Sequence, residues 1–408
     1  MSILRDLALA WQRRRHGLAN RARPHAAAPS RLQANALIAA MPDIRPSHLE
    51  TTLRLQCSRW LNGHRPARSM QASLLALSQV AEASLPLDVY GDGIAMQTLE
   101  ADVAALLGKP AASFFHKGVA AQLAALRGWC GEGQGPVALH PQCHIAVDES
   151  DAFEHLMGLR GLQVGAPDTP FTVQALQALP EKPAVVVVEL PLRRAGFQLT
   201  AWDDLVAISD WCRREGIALH LDGARLWEAQ PHYERPLAEI AALADSVYVS
   251  FYKGLGGLSG AMLLGSEAFI EALRPWKSRL AGNVYTLYPF VLSAFQGLRE
   301  QLPHMADYRN RARNLAAHLA RVPSWHVAPE PPPTNSFQLH LPVAPDALRE
   351  TMLAVAREQG FWLGARTTPS HKIADGAMVE VVVGNAAQDW TDDEVVTLWQ
   401  QVVSAAQR

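Results

Sequence analysis

The chain has 408 residues, 49% of them hydrophobic and 19% charged, with a formal net charge of -2. That is enough apolar material for a large core divided into two or three domains, and the near-neutral balance gives no field to draw nucleic acid, an anionic membrane or an acidic substrate. The four cysteines, at 57, 130, 143 and 212, stand far apart or without redox-pair spacing, which reads as reduced thiols in a cytoplasmic protein; no apolar run nears the ~18 residues that span a bilayer.

The N-terminus is the one biased stretch, with Arg13-Arg14-Arg15 followed by Arg21 and Arg23. These arginines follow a short apolar piece instead of preceding one, so the stretch does not read as a secretory signal. It reads as an arm over 1–48, either loosely docked or contacting another subunit. Helical patterning is expected over Met70 to Ala83 and from Ala95 to Leu107, where Gly108 supplies a stop. A strand Ala111 to Phe115, a Lys117-Gly118 turn and an apolar helix through Trp129 follow. The pattern then alternates: strand Val137 to His140, helix Ser150 to Leu159, strand Ala184 to Glu189, helix Ala201 to Glu215, strand Ile217 to Asp222 and strand Ser246 to Phe251. Such alternation predicts an α/β fold with a mostly parallel central sheet and helices on both faces. A long helical stretch beyond Pro289 to about Leu319 and the proline-rich Pro329 to Pro333 suggest a large domain over 49–295 and a smaller α/β domain over 296–408.

Two segments carry the chemistry. His220-Leu221-Asp222-Gly223-Ala224-Arg225 and Ser250-Phe251-Tyr252-Lys253-Gly254-Leu255-Gly256-Gly257 each close a β-like run, and open α/β sheets put their ligands at the carboxyl ends of strands. Lysine is scarce, with six (109, 117, 182, 253, 277 and 372) against 31 arginines, so a lysine between a strand and a glycine loop is not a generic solubilising charge. A lysine amine able to form a Schiff base, together with a carboxylate able to keep a pyridine nitrogen protonated, is what pyridoxal phosphate (PLP) chemistry asks of a protein.

With those residues in view, the chain resembles the fold-type-I PLP enzymes of the threonine aldolase and β-eliminating lyase family, from about residue 50 to 400. Asp88-Val89-Tyr90-Gly91 is similar to the family's DVYG, His220 to Arg225 to HxDGAR, Lys253-Gly254-Leu255-Gly256 to the segment around its Schiff-base lysine, and Thr334-Asn335-Ser336-Phe337 to the start of its C-terminal domain. The resemblance implies an aminotransferase-like fold with Lys253 as the Schiff-base lysine, Asp222 as the partner of the ring nitrogen and Arg225 near the phenolic oxygen. It implies that His144 stacks on the ring, with Glu149 five residues on. Taken alone, His140, Cys143 and His144 also admit a metal site or a structural histidine, although three soft ligands do not complete a tetrahedron.

Departures from the family pattern shape the remaining expectations. Gly118-Val119 and Tyr252 stand where the family has Gly-Thr and Ser, so backbone N–H groups after Gly118, with Lys117 as a point charge, are expected to hold the phosphate; Lys117 also reads as an exposed turn residue. Glu189-Leu190-Pro191 replaces Glu-Asn-Thr, and Tyr285 stands where an arginine is usual. Glu380 occupies the place of the arginine that grips the substrate carboxylate, while Cys57-Ser58-Arg59 stands for Arg-Ser-Asp. A swapped Arg59–Glu380 pair is one expectation, with Ser58 beside it; Arg366 is the other candidate anchor. The function expected is a PLP-dependent lyase on a β-substituted, β-hydroxy amino acid, acting by retro-aldol cleavage or β-elimination. Transamination, racemisation and a catalytically weak PLP-binding protein stay open as alternatives. The expected partners are a small amino-acid substrate and further copies of the chain, in a homodimer or homotetramer with active sites at the interface.

Overall fold

The computed structural model describes residues 46–131 and 135–408. The basic arm expected over 1–48 therefore lies, but for its last residues, outside the described residues. Residues Leu53–Arg408 form one compact unit, built on two sheets.

The larger sheet has seven strands: β1 (Ala111–Phe115), β2 (Val137–Leu139), β3 (Gly161–Gln163), β4 (Val185–Glu189), β5 (Ala218–Gly223), β6 (Ser246–Ser250) and β7 (Ala261–Gly265). They lie in the order β1-β7-β6-β5-β4-β2-β3, all parallel except β7, which runs antiparallel to both of its neighbours. Val185 to Val188 and every residue of β6 and β7 are buried, as required of strands covered on both faces. The covering helices include α1 (Ile94–Leu106), α2 (Gly118–Cys130) and α3 (Trp202–Glu215). In α3 the acidic pair Asp203 and Asp204 opens the helix and Arg213 and Arg214 close it, matching its dipole.

The smaller sheet is antiparallel. Its strands β8 (His326–Ala328), β9 (Ser336–Leu341), β10 (Thr368–Pro369) and β11 (Ala377–Val382) lie in the order β10-β11-β9-β8. A two-residue parallel pairing, Arg59 with Phe361 and Trp60 with Trp362, ties the start of this unit to its C-terminal part.

Several boundaries differ from the sequence reading, each for a local reason. The helix expected to Ala83 ends at Leu77, and a 3-10 turn takes up Ala81–Ser84. The helix expected over 150–159 is instead a single turn, Ala152–His155, set apart from the turn His144–Val147 before it, because Ser150 and Asp151 take positive φ values of 52° and 55° that an α-helix cannot hold. The long stretch after Pro289 is divided into Tyr288–Glu300 and Met305–Leu319 by a turn over Leu302–His304, where Pro303 can neither donate to the helical ladder nor avoid the preceding carbonyl. Strands β3 and β7 carry too weak an alternation to be read beforehand. Among the described residues, no helix is long and apolar enough to cross a membrane.

Candidate active site

Glu189 ends β4 and Asp222 lies near the end of β5, and the two are direct partners in the parallel pairing; Asp222 pairs in turn with Tyr248 of β6. The turn after β6 then delivers Lys253. Sheet register alone thus gathers two carboxylates and the lysine at one edge.

Asp222 is 1% exposed. Its Oδ1 accepts the backbone N–H of Ala224 at 3.1 Å, while Oδ2 is buried with no hydrogen-bond partner. A dry carboxylate oxygen without a donor costs roughly 1–3 kcal/mol, so the site is shaped for a donor that the protein does not itself supply. The protonated nitrogen of a pyridine ring fits that demand. Lys253 Nζ makes no hydrogen bond among the described residues; burial first and Arg225 second push its pKa well down, against the pull of Asp222, Glu189 and Glu228. An amine so displaced is closer to its nucleophilic, uncharged form near neutral pH.

His144 sits on the short turn after β2. Its Nδ1 lies 2.9 Å from Glu149 Oε1, which makes Nδ1 the protonated nitrogen and leaves Nε2 as the acceptor. Burial lowers its pKa, but the Glu149 hydrogen bond and the Asp222 charge outweigh that, and the net shift is upward. Glu189 is spent on positioning: Oε2 accepts the His144 N–H at 2.7 Å and Oε1 the Arg193 N–H at 3.2 Å. Burial and the neighbouring Asp222 raise its pKa. His140 faces elsewhere, with Nε2 at 2.8 Å from Ala166 O and Nδ1 accepting the Gln142 N–H. It is a structural histidine.

The turn at Gly118 opens α2, a 13-residue helix whose first N–H groups stay available to an anion. A Cβ on Gly118 would fall 2.0 Å from the Tyr248 hydroxyl, so this turn presses directly on β6. Lys117, at the N-cap, is exposed, and Val119 is half-buried. Tyr252 places its ring centroid 6.0 Å from Lys253 Nζ, and Ser250 contributes a buried hydroxyl without a partner. Arg225, half-buried, lies 5.7 Å from the Phe197 ring.

On the substrate side the structure departs from the sequence reading. Glu380 pairs not with Arg59 but with Arg193, whose Nε and Nη2 reach Oε2 at 3.1 and 2.9 Å. Arg59 instead pairs with Glu394 at 3.2 Å and lies 3.7 Å over the Trp390 ring; the short pairing with Phe361 pins it there. The swapped pair is therefore absent. Ser58 is exposed and donates its hydroxyl to Gly360 O at 3.1 Å. Next to Arg193, Arg194 grips Asp148 with two bonds of 2.6 and 2.9 Å, and this holds the Asp148 pKa down at about 2. Arg193, Arg194, Gln338, Glu380 and Arg366 line a cavity of about 410 Å³, at whose rim Arg366 is exposed and has no acidic partner among the described residues. A second cavity, of about 540 Å³, is lined by His64, Tyr252, Lys253 and Asn335. Arg193, Arg194 and Glu228 were missed by sequence reasoning. The doublet Arg193-Arg194, four and five residues past the strand-end Glu189, was the available signal for the first two.

A seven-stranded sheet in this order, with an acid, a lysine and a histidine at one strand-end edge and an anion-ready helix start beside them, defines a PLP-binding enzyme of the aminotransferase-like fold. The beta-eliminating lyase family model matches residues 70–341, and the chain belongs to that family of PLP-dependent lyases. A candidate L-allo-threonine aldolase from Listeria monocytogenes superposes with a TM-score of 0.80 at 33% identity, covering 88% of this chain and 99% of that one. A low specificity L-threonine aldolase of Escherichia coli is 25% identical over 267 residues, 62% of this chain and 76% of the other. Alanine racemase TOXG of Cochliobolus carbonum is 29% identical over 225 residues, 52% of this chain and 56% of the other.

Proposed function

We propose that this enzyme cleaves the Cα–Cβ bond of a β-hydroxy amino acid, releasing glycine and an aldehyde. The observation that carries the reading is the joint placement of Lys253, the unpartnered Asp222 Oδ2 and the Glu149-held His144 after β6, at the end of β5 and after β2, at one edge of the sheet, together with likeness to proteins named as threonine aldolases. Bound PLP supplies an electron sink for the bond that breaks. Lys253 would hold the cofactor's aldehyde carbon, Asp222 would keep its ring nitrogen protonated, Arg225 would pair with its phenolic oxygen, and the N–H groups after Gly118 would take its phosphate. His144 Nε2 is the group suited to accept the proton leaving the β-hydroxyl, because Glu149 keeps the opposite nitrogen protonated.

The substrate carboxylate needs a cation not already neutralised. Arg193 and Arg194 are matched by Glu380 and Asp148, so the unpaired Arg366 at the same cavity supports the anchoring role best. Ser58 and Arg59 lie outside this reading.

A second copy of the chain is part of the proposal. Met70, Leu74 and Leu75 are 87%, 62% and 59% exposed, Leu87 69%, Ile94 54% and Tyr285 64%. Leu87 and Tyr285 are brought together because Asp88 accepts the Thr286 hydroxyl and the N–H groups of Leu287 and Tyr288, and the helix Met70–Leu77 packs on the helix Tyr288–Glu300 that follows. An apolar face of this extent on a lone chain marks an interface. Light scattering on wild type and Leu74→Lys tests it, with a dimer or tetramer expected to shift toward monomer. The cytoplasm as compartment and the division into 49–295 and 296–408 belong to the same reading.

The function is tested by incubating the PLP-loaded protein with threonine, allo-threonine and phenylserine. Glycine and the matching aldehyde are expected. A 2-oxo acid with ammonia would favour β-elimination, and a change of configuration without cleavage would favour racemisation, which the TOXG similarity keeps as the second reading.

A further inference from the structure

The Lys253 amine faces three acids, Asp222, Glu189 and Glu228, and one base, Arg225, with His144 close enough to feel its charge. Two of the acids are committed. Glu189 divides its oxygens between the His144 and Arg193 N–H groups, and Asp222 accepts the Ala224 N–H on one oxygen and, on the reading above, would give the other to the cofactor's ring nitrogen. Glu228 is held only by backbone, its carboxyl taking the N–H groups of Gly254 and of Glu228 itself. It lies on the helix Leu226–Tyr233 that follows β5, is 2% exposed, and its Oε2 is buried with no partner.

Its location is set by close packing against the lysine loop. A Cβ on Gly254 would fall 2.3 Å from both Glu228 Cδ and Oε1, so only glycine lets the peptide after Lys253 lie directly on this carboxyl. Nothing in the fold uses Oε2, and an apolar side chain would fill the same space without the desolvation penalty of a buried acid. The Gly254 contact occupies one part of the carboxyl, and the buried, unpartnered Oε2 is left to act on the charge above it.

We propose that Glu228 is a positioning residue for Lys253: its carboxyl, packed beneath the Gly254 peptide, sets the proton affinity of the Lys253 nitrogen. The inference rests on Lys253 being the cofactor lysine and on no particular substrate. A negative or proton-sharing group at this place stabilises the protonated nitrogen, in opposition to burial and to Arg225.

The test is the pH titration of the visible absorption band of PLP bound to the full-length protein, in wild type, Glu228→Gln and Glu228→Asp. The Gln variant is expected to lower the titration midpoint by about one pH unit, a tenfold loss of proton affinity. Asp, which keeps the charge but draws it back by one methylene, is expected to lower it by less. Thermal melts of the same samples show whether folding has changed, which a purely structural role would alter without moving the midpoint. Should the Gln variant not fold, the Asp variant decides alone. A wild-type band that titrates while the folded variant keeps the same midpoint overturns the inference and leaves the cofactor reading intact; a wild-type protein that yields no such band on PLP addition overturns both.

Discussion

Arg193 holds Glu380 across a sequence separation of 187 residues, with two N–H groups converging on one carboxylate oxygen at 3.1 and 2.9 Å. The pair joins the loop after β4 to strand β11 and so closes one wall of the cavity that Arg366 also lines. It also answers how an acid can stand where a substrate carboxylate must approach: its charge is already matched. Arg193→Met is expected to leave that acid exposed to the substrate and raise KM at least tenfold. Adding Glu380→Gln should recover most of the loss, with a coupling on the order of 1–3 kcal/mol in the double-mutant cycle. Strictly additive effects on KM would show that the two side chains act independently.

Arg59 and Arg366 separate stability from binding. Arg59 is committed to Glu394 and to the Trp390 ring, so Arg59→Ala is expected to cost about 1 kcal/mol of stability in denaturant unfolding while leaving KM unchanged. Arg366→Ala should do the reverse, raising KM severalfold with little change in the unfolding midpoint. Steady-state kinetics beside urea titrations distinguish the two, and a KM effect at Arg59 would argue against the assignment of the anchor.

Replacing Asp222 by Asn removes the charge that keeps a pyridine nitrogen protonated, and turnover is expected to fall a hundredfold or more, on the order of losing one preorganised electrostatic contact. The protein without PLP should melt within a few degrees of wild type, because neither side chain finds a second partner there. Near-normal turnover in this variant would reduce Asp222 to a turn residue.

At Gly118 the prediction is steric. Gly118→Ala places a methyl 2.0 Å from the Tyr248 hydroxyl, so α2 and β6 must separate, at a cost of about 1–3 kcal/mol. PLP affinity, followed by absorbance titration of the stripped protein, should weaken, and Tyr248→Phe in the same chain should restore part of it. Unaltered affinity in the single variant would place the phosphate elsewhere.

Acid should destabilise the fold through buried histidines. Burial pushes His220 down to about 3, with its ring between Ser246 Oγ and Gln122 Oε1. Burial first, then the charges of His371 and His326, push His340 down to about 4. Both values lie below that of an unfolded histidine, so their contribution is intact above about pH 6.5 and is lost as pH falls toward 4 and then 3. Each group steepens the decline by about 1.4 kcal/mol per pH unit in its window. Urea unfolding between pH 7 and pH 4 should show this slope, and it should flatten in His340→Gln; equal slopes would mean that His340 takes up its proton alike in the folded and unfolded states.

Much of the site was legible because strand ends announce themselves. The β runs before Asp222 and Lys253 are apolar and β-branched, and the glycines after them mark turns, so sheet physics alone delivers both groups to one edge. Expectations failed where the answer lay in long-range pairing. Glu380 was seen to need a counter-charge, but nothing local distinguishes Arg59 from Arg193 as its partner; the short parallel pairing at Arg59–Trp60 and the turn after Glu189 decide it. Glu228 was invisible for a related reason. An acid inside a helix reads as a solvated face until the loop that lies on it is known.

The unpartnered oxygen of Asp222 also reaches beyond catalysis. The protein itself offers that oxygen no donor among the described residues, and a bound cofactor's ring nitrogen would supply one. Ligand that binds the folded form alone adds about 2.7 kcal/mol of stability at a hundredfold excess over its Kd, a sizeable share of the 5–15 kcal/mol that holds an ordinary domain together. By that linkage vitamin supply would be coupled to the lifetime of the polypeptide, the loaded chain unfolding less often than the unloaded one.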